Sequence, residues 1–385
     1  MRFLHLGDLH IGKTLGDFSL ISDQEYICDS IVRIAAERGV DAVLLAGDIY
    51  DKAVPSEEAV SLFNLFLEKI VGEDIKVFII SGNHDSDERL NFGSSLFENN
   101  GVYICAKYNG ELYSREIEDE FGKINVYLLP FVKASTVRHF HPDAHIETYE
   151  DAVSLVIGEA DIDTSKRNII VSHQFVTAGG ILPKFSGSEG KAAASVGLVE
   201  QISAECFKDF DYVALGHIHA PQTVGREEVR YSGSMLKYSL GEAGKDKTVP
   251  LIEIGKKGEV NVELVPLKPM RDLRHIKGTV KQLLDPKNIE NPEDYIYVTL
   301  TDEDIVNDAM ALFQQSYPNT VRIDYVNSRT KAIDGIDISD ADKEISFEEL
   351  VSSFYREVYG VDISEEEMKI MLQAAGEAGV KDETD

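Results

Sequence analysis

The chain is short of positive charge, has no tryptophan and carries only three cysteines. Its 385 residues include 38 Lys and Arg against 68 Asp and Glu, a formal net charge of −30. So acidic a chain is a poor phosphate binder by itself, because phosphate contacts rely on Lys and Arg. Bound metal ions or a basic partner chain would reverse that locally. Cys28, Cys105 and Cys206 are odd in number and widely spaced. That excludes a disulfide framework or a CxxC pair and suits a reducing cytoplasm. No apolar run approaches the roughly 20 residues of a membrane span. The first residues, MRFLHLGDLH, put Asp and His where a secretory leader would be apolar. The expectation is a cytoplasmic protein with no membrane segment.

A length of 385 residues is enough for two or three domains, and an ordinary hydrophobic content of 43% allows a sizeable core. In the first half, apolar runs at 2–6, 41–46 and 75–81 alternate with helical patterns. The first helical stretch, 23–38, has Ser22 or Asp23 as a candidate cap; the second, 55–71, opens on Pro-Ser-Glu-Glu. Strand–helix alternation predicts a largely parallel sheet with helices on both faces. Further strands are expected at 124–129, 168–172, 211–215, 229–232, 249–254 and 260–265, the last two joined through GKKGE as a hairpin. They suggest a second sheet packed on the first, a layered α/β domain over 1–268. Beyond it, strands at 295–301 and 320–326 with a helix at 304–317 predict a small α/β module over 269–335. Helices within 336–385 end the chain, and its last residues, KDETD, are expected to fray.

Five strands end in metal-type ligands. They run into Gly7-Asp8-Leu9-His10, Gly47-Asp48, Gly82-Asn83-His84-Asp85, Ser172-His173 and Gly216-His217-Ile218-His219. Ligands bind at the carboxyl ends of strands in α/β sheets. If these segments are extended, residues i and i+2 share a side, so Asp8 and His10 reach one point, as do His217 and His219. Carboxylate, carboxamide and imidazole together suit Mn2+, Fe2+ or Zn2+. The set Asp8, His10, Asp48, Asn83, His173, His217 and His219 is too large for one tetrahedral ion. It suits two ions sharing a carboxylate, an arrangement that clamps a phosphoryl centre. Single Gly-Asp or Gly-Asn pairs are ordinary turn chemistry; all five together in order are not. His5 and His275 read as structural residues, and His139, His141 and His145 as members of a surface loop.

At these blocks the chain resembles the calcineurin-like metallophosphoesterase superfamily, whose pattern is DxH, GD, GNH(D/E), H and GHxH. The stretches FLHLGDLHIGK, LLAGDIYDKAVPS, VSHQFVTAGG, DYVALGHIHAPQ, RYSGSMLKYS and LVPLKPMRDLRHIKG are similar to the nuclease subunits of SbcCD-type complexes. That similarity spans roughly residues 1–280; beyond, only the layout is alike. Asp51 stands where some archaeal relatives carry His and follows the bacterial pattern.

The resemblance implies a two-sheet metallophosphoesterase fold flanked by helices, with a DNA-capping module (269–335) and C-terminal helices (336–385) that dock a coiled-coil ATPase of the SbcC type. It implies one ion on Asp8, His10, Asp48 and His219 and another on Asp48, Asn83, His173 and His217, with Asp48 shared and manganese the expected metal. The implied activity is that of a double-strand 3′–5′ exonuclease and single-strand endonuclease in DNA repair, recombination and hairpin cleavage. His84 adjoins a ligand without being one; it is the candidate to protonate the leaving oxygen or to support charge on the phosphate. Asp85 is either a helix cap or a carboxylate that orients a histidine from behind.

The stretches 60–70 and 89–97 carry more Leu and Phe than one buried face needs. The resemblance implies that they pair in a homodimer within a heterotetramer, the alternative being packing inside the domain. It also implies that Leu350, Phe354 and Val358 dock the partner rather than facing their own core. Lys184, Lys191, Arg226, Arg230 and Lys237 stand in segments where they could touch phosphate, although a solvated surface explains each. The metal motifs fit a protein phosphatase or a cyclic-nucleotide phosphodiesterase equally well. The module after residue 270 favours the nuclease, and the intact ligand set argues against a non-catalytic scaffold.

Overall fold

The structure is a computed structural model that describes residues 1–187, 200–328, 347–359 and 362–377. It divides into two compact units, Met1–Arg274 and His275–Asp385. The division falls later than the expected 268/269 break. Arg271 pairs with Asp23 and Asp272 with Lys237, which holds the segment after strand Val260–Leu267 on the first unit.

Two six-stranded sheets make the first unit. One runs in the order Val260–Leu267, Lys247–Ile254, Arg2–Leu6, Ala42–Ala46, Lys76–Ile80, Val102–Cys105. Its four N-terminal strands are parallel, with Leu4 beside Val43 and Leu44 beside Phe78. The Lys247–Ile254 strand runs antiparallel and forms the expected hairpin with Val260–Leu267. The second sheet runs Gln222–Val224, Arg226–Tyr231, Tyr212–Gly216, Arg167–His173, Gly122–Leu129, Tyr113–Asp119. Its four central strands are parallel and its edges antiparallel.

The continuous apolar strands follow from cover on both faces. Ala42, Leu44 and Ala46 face inward with Phe3, Phe78 and Ile80, against Val126, Leu128, Ile169, Val171 and Tyr212 of the other sheet. The first sheet therefore carries helices on one face only, which corrects the expectation of helices on both; the second sheet occupies the other. Helix Tyr149–Glu159 covers the outer face of the second sheet through Ala152, Val153, Val156 and Ile157.

Helix Glu57–Gly72 opens as its sequence predicts, Ser56 Oγ accepting from the Ala59 amide. Helix Ile21–Glu37 does not. Its N-cap is Leu20, without a side-chain bond. Asp23 is buried in the first turn, and its carboxylate accepts from Arg271.

In the second unit, strands Tyr295–Leu300 and Thr320–Tyr325 form a sheet with strand Leu273–Gly278, whose first two residues fall before the division. Ile296, Val298 and Leu300 pack with Phe313 and Tyr317 in its core. Its helix spans Ala309–Gln314, shorter than the expected 304–317. Helices Phe347–Tyr359 and Glu365–Glu377 follow and contact one another. Phe354 on the first is exposed, whereas the side chains of Leu350 and Val358 lie outside the described set. Among the described residues no helix is long and apolar enough to cross a membrane.

Candidate metal centre

All five strand ends converge. Asp8, Asp48 and Asn83 follow strands of the first sheet; His173 ends a strand of the second and His217 follows another, with His219 two residues on. The sheets are packed face to face, so their carboxyl edges lie side by side. The ligand atoms of Asp8, His10 and His219 fall within 4.8 Å of one another, as do those of Asp8, Asp48 and His173, and all five residues are buried.

The local backbone differs from an extended chain. Asp8, His10, Asp48 and His217 have φ of 53°, 44°, 50° and 96°, conformations that side-chain-bearing residues rarely adopt and that cluster at functional sites. Asp8 and His10 thus reach one point through a left-handed loop, held by bonds from Asp8 N to Gly47 O (3.1 Å) and His10 N to Asp48 O (2.9 Å). The expectation that His217 and His219 share a point is overturned. The left-handed turn at His217 sends its ring to Asn83, with Nδ1 2.9 Å from Oδ1, while His219 goes to His10. Two glycines are required by close approach. A Cβ on Gly216 would stand 1.9 Å from Ala46 O of the facing sheet, and one on Gly82 2.1 Å from Asp48 Oδ1.

Asp48 lies between the two groups. Its Oδ2 is 3.5 Å from His10 Nε2 and 3.4 Å from His173 Nε2, and its Oδ1 accepts from His84 N at 2.9 Å. His173 donates Nδ1–H to Ala46 O at 2.7 Å, which turns its other nitrogen, Nε2, toward Asn83 Oδ1 at 3.1 Å. His10 Nε2 and His219 Nε2 face each other at 3.0 Å. Nitrogen lone pairs and carboxylates converging on one buried spot form a donor set that fits divalent cations. No cysteine takes part.

Burial and charge reinforce this. Burial lowers the pKa of His10 to about 4 and that of His219 well below its ordinary value, which keeps both imidazoles neutral and able to ligate. Burial also presses on His173 but is outweighed by Asp48, leaving that pKa at about 9. Burial opposes the Asp48 charge, yet His173 and His10 hold its pKa well below the carboxylate range.

Three groups form the open side: Asn83 is exposed, and His84 and His217 are half-buried. His84 Nδ1 donates to Asp51 O at 3.1 Å, so Nε2 is the nitrogen left for other chemistry, and its ring packs edge-on at 4.9 Å against His10. Asp85 is neither a helix cap nor an orienter of an imidazole. Helix Asp87–Leu90 is preceded by Ser86. The Asp85 carboxylate accepts from Gly82 N (2.9 Å), Ile49 N (3.1 Å) and Tyr50 N (2.9 Å), stapling the Asp48 loop to the Asn83 loop. Burial and the Asp48 charge raise its pKa to about 6.

Three of the remaining histidines hold other structure, and His139 and His145 are exposed. His5 meets Tyr212 Oη (3.0 Å) and Leu215 O (3.2 Å) between the sheets, His275 meets Thr299 Oγ1, and His141 meets Tyr108 Oη. His139 lies on helix Ala134–Phe140 rather than in a loop. Arg226 bonds the carbonyls of Phe207 and Phe210, Arg230 that of Glu227, and Lys237 pairs with Asp272. These three cations serve the fold; Lys184 is exposed, and Lys191 lies outside the described residues.

Sequence reasoning missed Phe131, whose ring stacks on His217 at 6.4 Å and 20°. It too follows a strand end, Pro130 after Gly122–Leu129, but its apolar side chain carries no ligand signal. It also missed Gln24, Tyr238 and Lys247, which contact the ligand loops from distant parts of the chain.

Comparison with known proteins agrees with this geometry. Residues 1–221 match the family model for calcineurin-like phosphoesterases, and residues 269–359 match one described as the Type 5 capsule protein repressor C-terminal domain. A curated relative from Staphylococcus epidermidis, the D subunit of the SbcCD nuclease, is 31% identical over 372 residues, 95% of each chain. Among solved structures, a dimetal phosphatase from Danio rerio aligns at TM-score 0.39 and 12% identity, covering 70% of this chain and 99% of that one. The anchor in the inner membrane complex of Plasmodium aligns at 0.38 and 14%, covering 85% and 98%.

Proposed function

Because the chain belongs to the calcineurin-like phosphoesterases and, within them, to the family of SbcD nucleases, we propose that it is a metal-dependent DNA nuclease working with an SbcC-type ATPase. Its chemistry is phosphodiester hydrolysis on duplex ends, single strands and hairpins, and its cofactor is a pair of Mn2+ ions. The observation that carries this reading is the buried convergence of Asp8, His10, Asp48, His173 and His219 beneath an open rim of Asn83, His84 and His217.

When bound, two divalent ions supply Lewis-acid polarisation of a phosphoryl group and a nucleophile at neutral pH. Asp8, His10, Asp48 and His219 hold the first; Asp48, Asn83, His173 and His217 hold the second. The central place of Asp48 supports its sharing between them. His173 keeps its ligating nitrogen toward the rim by donating its other N–H to Ala46 O. His84, its Nδ1 committed to Asp51 O, presents Nε2 to protonate the leaving oxygen or to support charge on the phosphate. Asp85 keeps the two ligand loops in register. The divalent charge also answers the acidity of the chain, by making a local positive centre on an anionic surface.

Further roles follow from the family. Residues 269–335 form the DNA-capping module and 336–385 the ATPase-docking helices, on which Phe354, Ile370 and Met371 are exposed. Val60, Phe92, Leu96 and Phe97 are exposed as well and mark the face of a homodimer within a heterotetramer. The protein works in the cytoplasm, with its DNA.

The test is Mn2+-dependent digestion of end-labelled duplex and hairpin DNA beside a panel of phosphatase substrates, with and without the ATPase. DNA cleavage that needs the metal is expected; phosphatase turnover without DNA cleavage overturns the reading.

A further inference from the structure

Two pairs of adjacent residues stand out between the metal loops and the segment that leads to the second unit. In Asp23-Gln24 and in Lys237-Tyr238, the second member grips the Asp8–His10 loop and the first grips residues 271–272. Gln24 is fully buried, and every polar atom of its amide is used. Oε1 accepts from Gly12 N at 2.9 Å; Nε2 donates to His10 O at 2.8 Å and lies 3.4 Å from Leu9 O and 3.3 Å from Tyr238 Oη. The Tyr238 hydroxyl donates to Leu9 O at 2.5 Å, and its ring packs against both His10 (5.9 Å) and His219 (6.1 Å). One residue earlier in each pair, Asp23 accepts from Arg271 Nε at 3.0 Å and also from its Nη2. Lys237 Nζ meets Asp272 at 2.7 Å.

Left-handed Asp8 and His10 persist only where their surroundings over-determine them. The bonds to Leu9 O, His10 O and Gly12 N provide that constraint. We propose that Gln24 and Tyr238 are positioning residues that set the ligand geometry at the first ion, and that the ion pairs of Asp23 and Lys237 with Arg271 and Asp272 tie that geometry to the strap entering the second unit. A pull on the strap then bears first on His10 through a two-residue path on either side, and reaches the second ion, at Asp48, Asn83, His173 and His217, only through the shared Asp48. This rests on the two-ion reading above.

The experiment is Mn2+ titration calorimetry on the full-length protein, with melting of the metal-free form as the check on folding. For Tyr238→Phe, which deletes one oxygen, and Gln24→Leu, one binding step weakens about tenfold while the other stays closer to wild type. The metal-free protein still melts cooperatively, a few degrees lower because buried partners are left unsatisfied. Arg271→Ala and Asp272→Ala weaken the same step about threefold, and Arg271→Lys recovers most of that loss. Wild-type isotherms in Tyr238→Phe, or equal weakening of both steps, overturn the clamp. Wild-type isotherms in both strap variants overturn the tie to residues 271–272. Should Gln24→Leu not fold, Tyr238→Phe alone decides. Wild-type protein that binds no Mn2+ refutes the two-ion reading itself.

Discussion

Lys247→Met removes an ammonium from beneath the metal centre and keeps the aliphatic stem in place. Lys247 is 6% exposed and Glu242 fully buried. The Lys247 ammonium donates to Glu242 Oε1 (2.5 Å), Ser234 Oγ (2.8 Å) and His219 O (3.1 Å). The far oxygen of Glu242 accepts from Tyr238 N (2.8 Å) and Ser239 Oγ (3.3 Å). With the ammonium gone, Glu242 keeps those bonds and one from Ser234 Oγ (3.1 Å) but loses the cation that offsets its charge, and His219 O loses a donor. Breaking a buried pair from one side costs about 3–5 kcal/mol, because the partner's desolvation is left unrepaid. At about 2–4 °C per kcal/mol for a domain of this size, the melting point falls by roughly 10 °C.

The assay is urea unfolding in chelator, so that metal binding adds nothing. Converting Glu242 to Gln in the same chain removes the stranded charge and recovers part of the loss, which separates the electrostatic origin from packing. A single variant within about 1 kcal/mol of wild type refutes the reasoning; it would mean that the ammonium's desolvation already cancels the pair.

Two further outcomes are expected. His84→Ala retains both ions by titration yet loses most DNA hydrolysis, whereas Asp48→Ala loses metal and activity together; loss of metal from the His84 variant refutes its role at the rim. Asp119, gripped by both terminal guanidinium nitrogens of Arg167 and by the Met1 amine, has its pKa held well below the ordinary value, first by Arg167. A carboxylate depressed in the folded state contributes stability above its unfolded pKa of about 3.9 and loses it as pH falls toward the folded value. Asp119→Asn is therefore less stable than wild type at pH 7, and the gap narrows in unfolding curves taken below about pH 4; a gap independent of pH contradicts the ion pair.

Part of this site could be read from the residues alone. Asp8, His10, Asp48, Asn83, His173, His217 and His219 each follow an apolar run, and polar residues of ligating type at successive strand ends form a local, ordered pattern. The two-layer architecture was legible for the same reason: runs such as AVLLA and KVFII, apolar at every position, need cover on both faces. A strand cannot report what covers it, so the second sheet was expected while helices were wrongly placed on both faces of the first.

The chain by itself determined the kind and order of the candidate ligands, because both are carried by residues next to one another. The tertiary structure decided how they are shared out. His217 and His219 look equivalent by spacing, but the turn at His217 separates them onto two groups of donors. Asp85 reads as a cap or an orienter until three amides from two loops are seen to meet it. Gln24 and Tyr238 touch across 214 residues of chain, and Lys247, on a strand of the first sheet, reaches the carbonyl of His219, which follows a strand of the second. No periodicity encodes such contacts. They exist because two sheets pack with their carboxyl edges together, and the buried polar atoms there must find partners wherever the fold brings them.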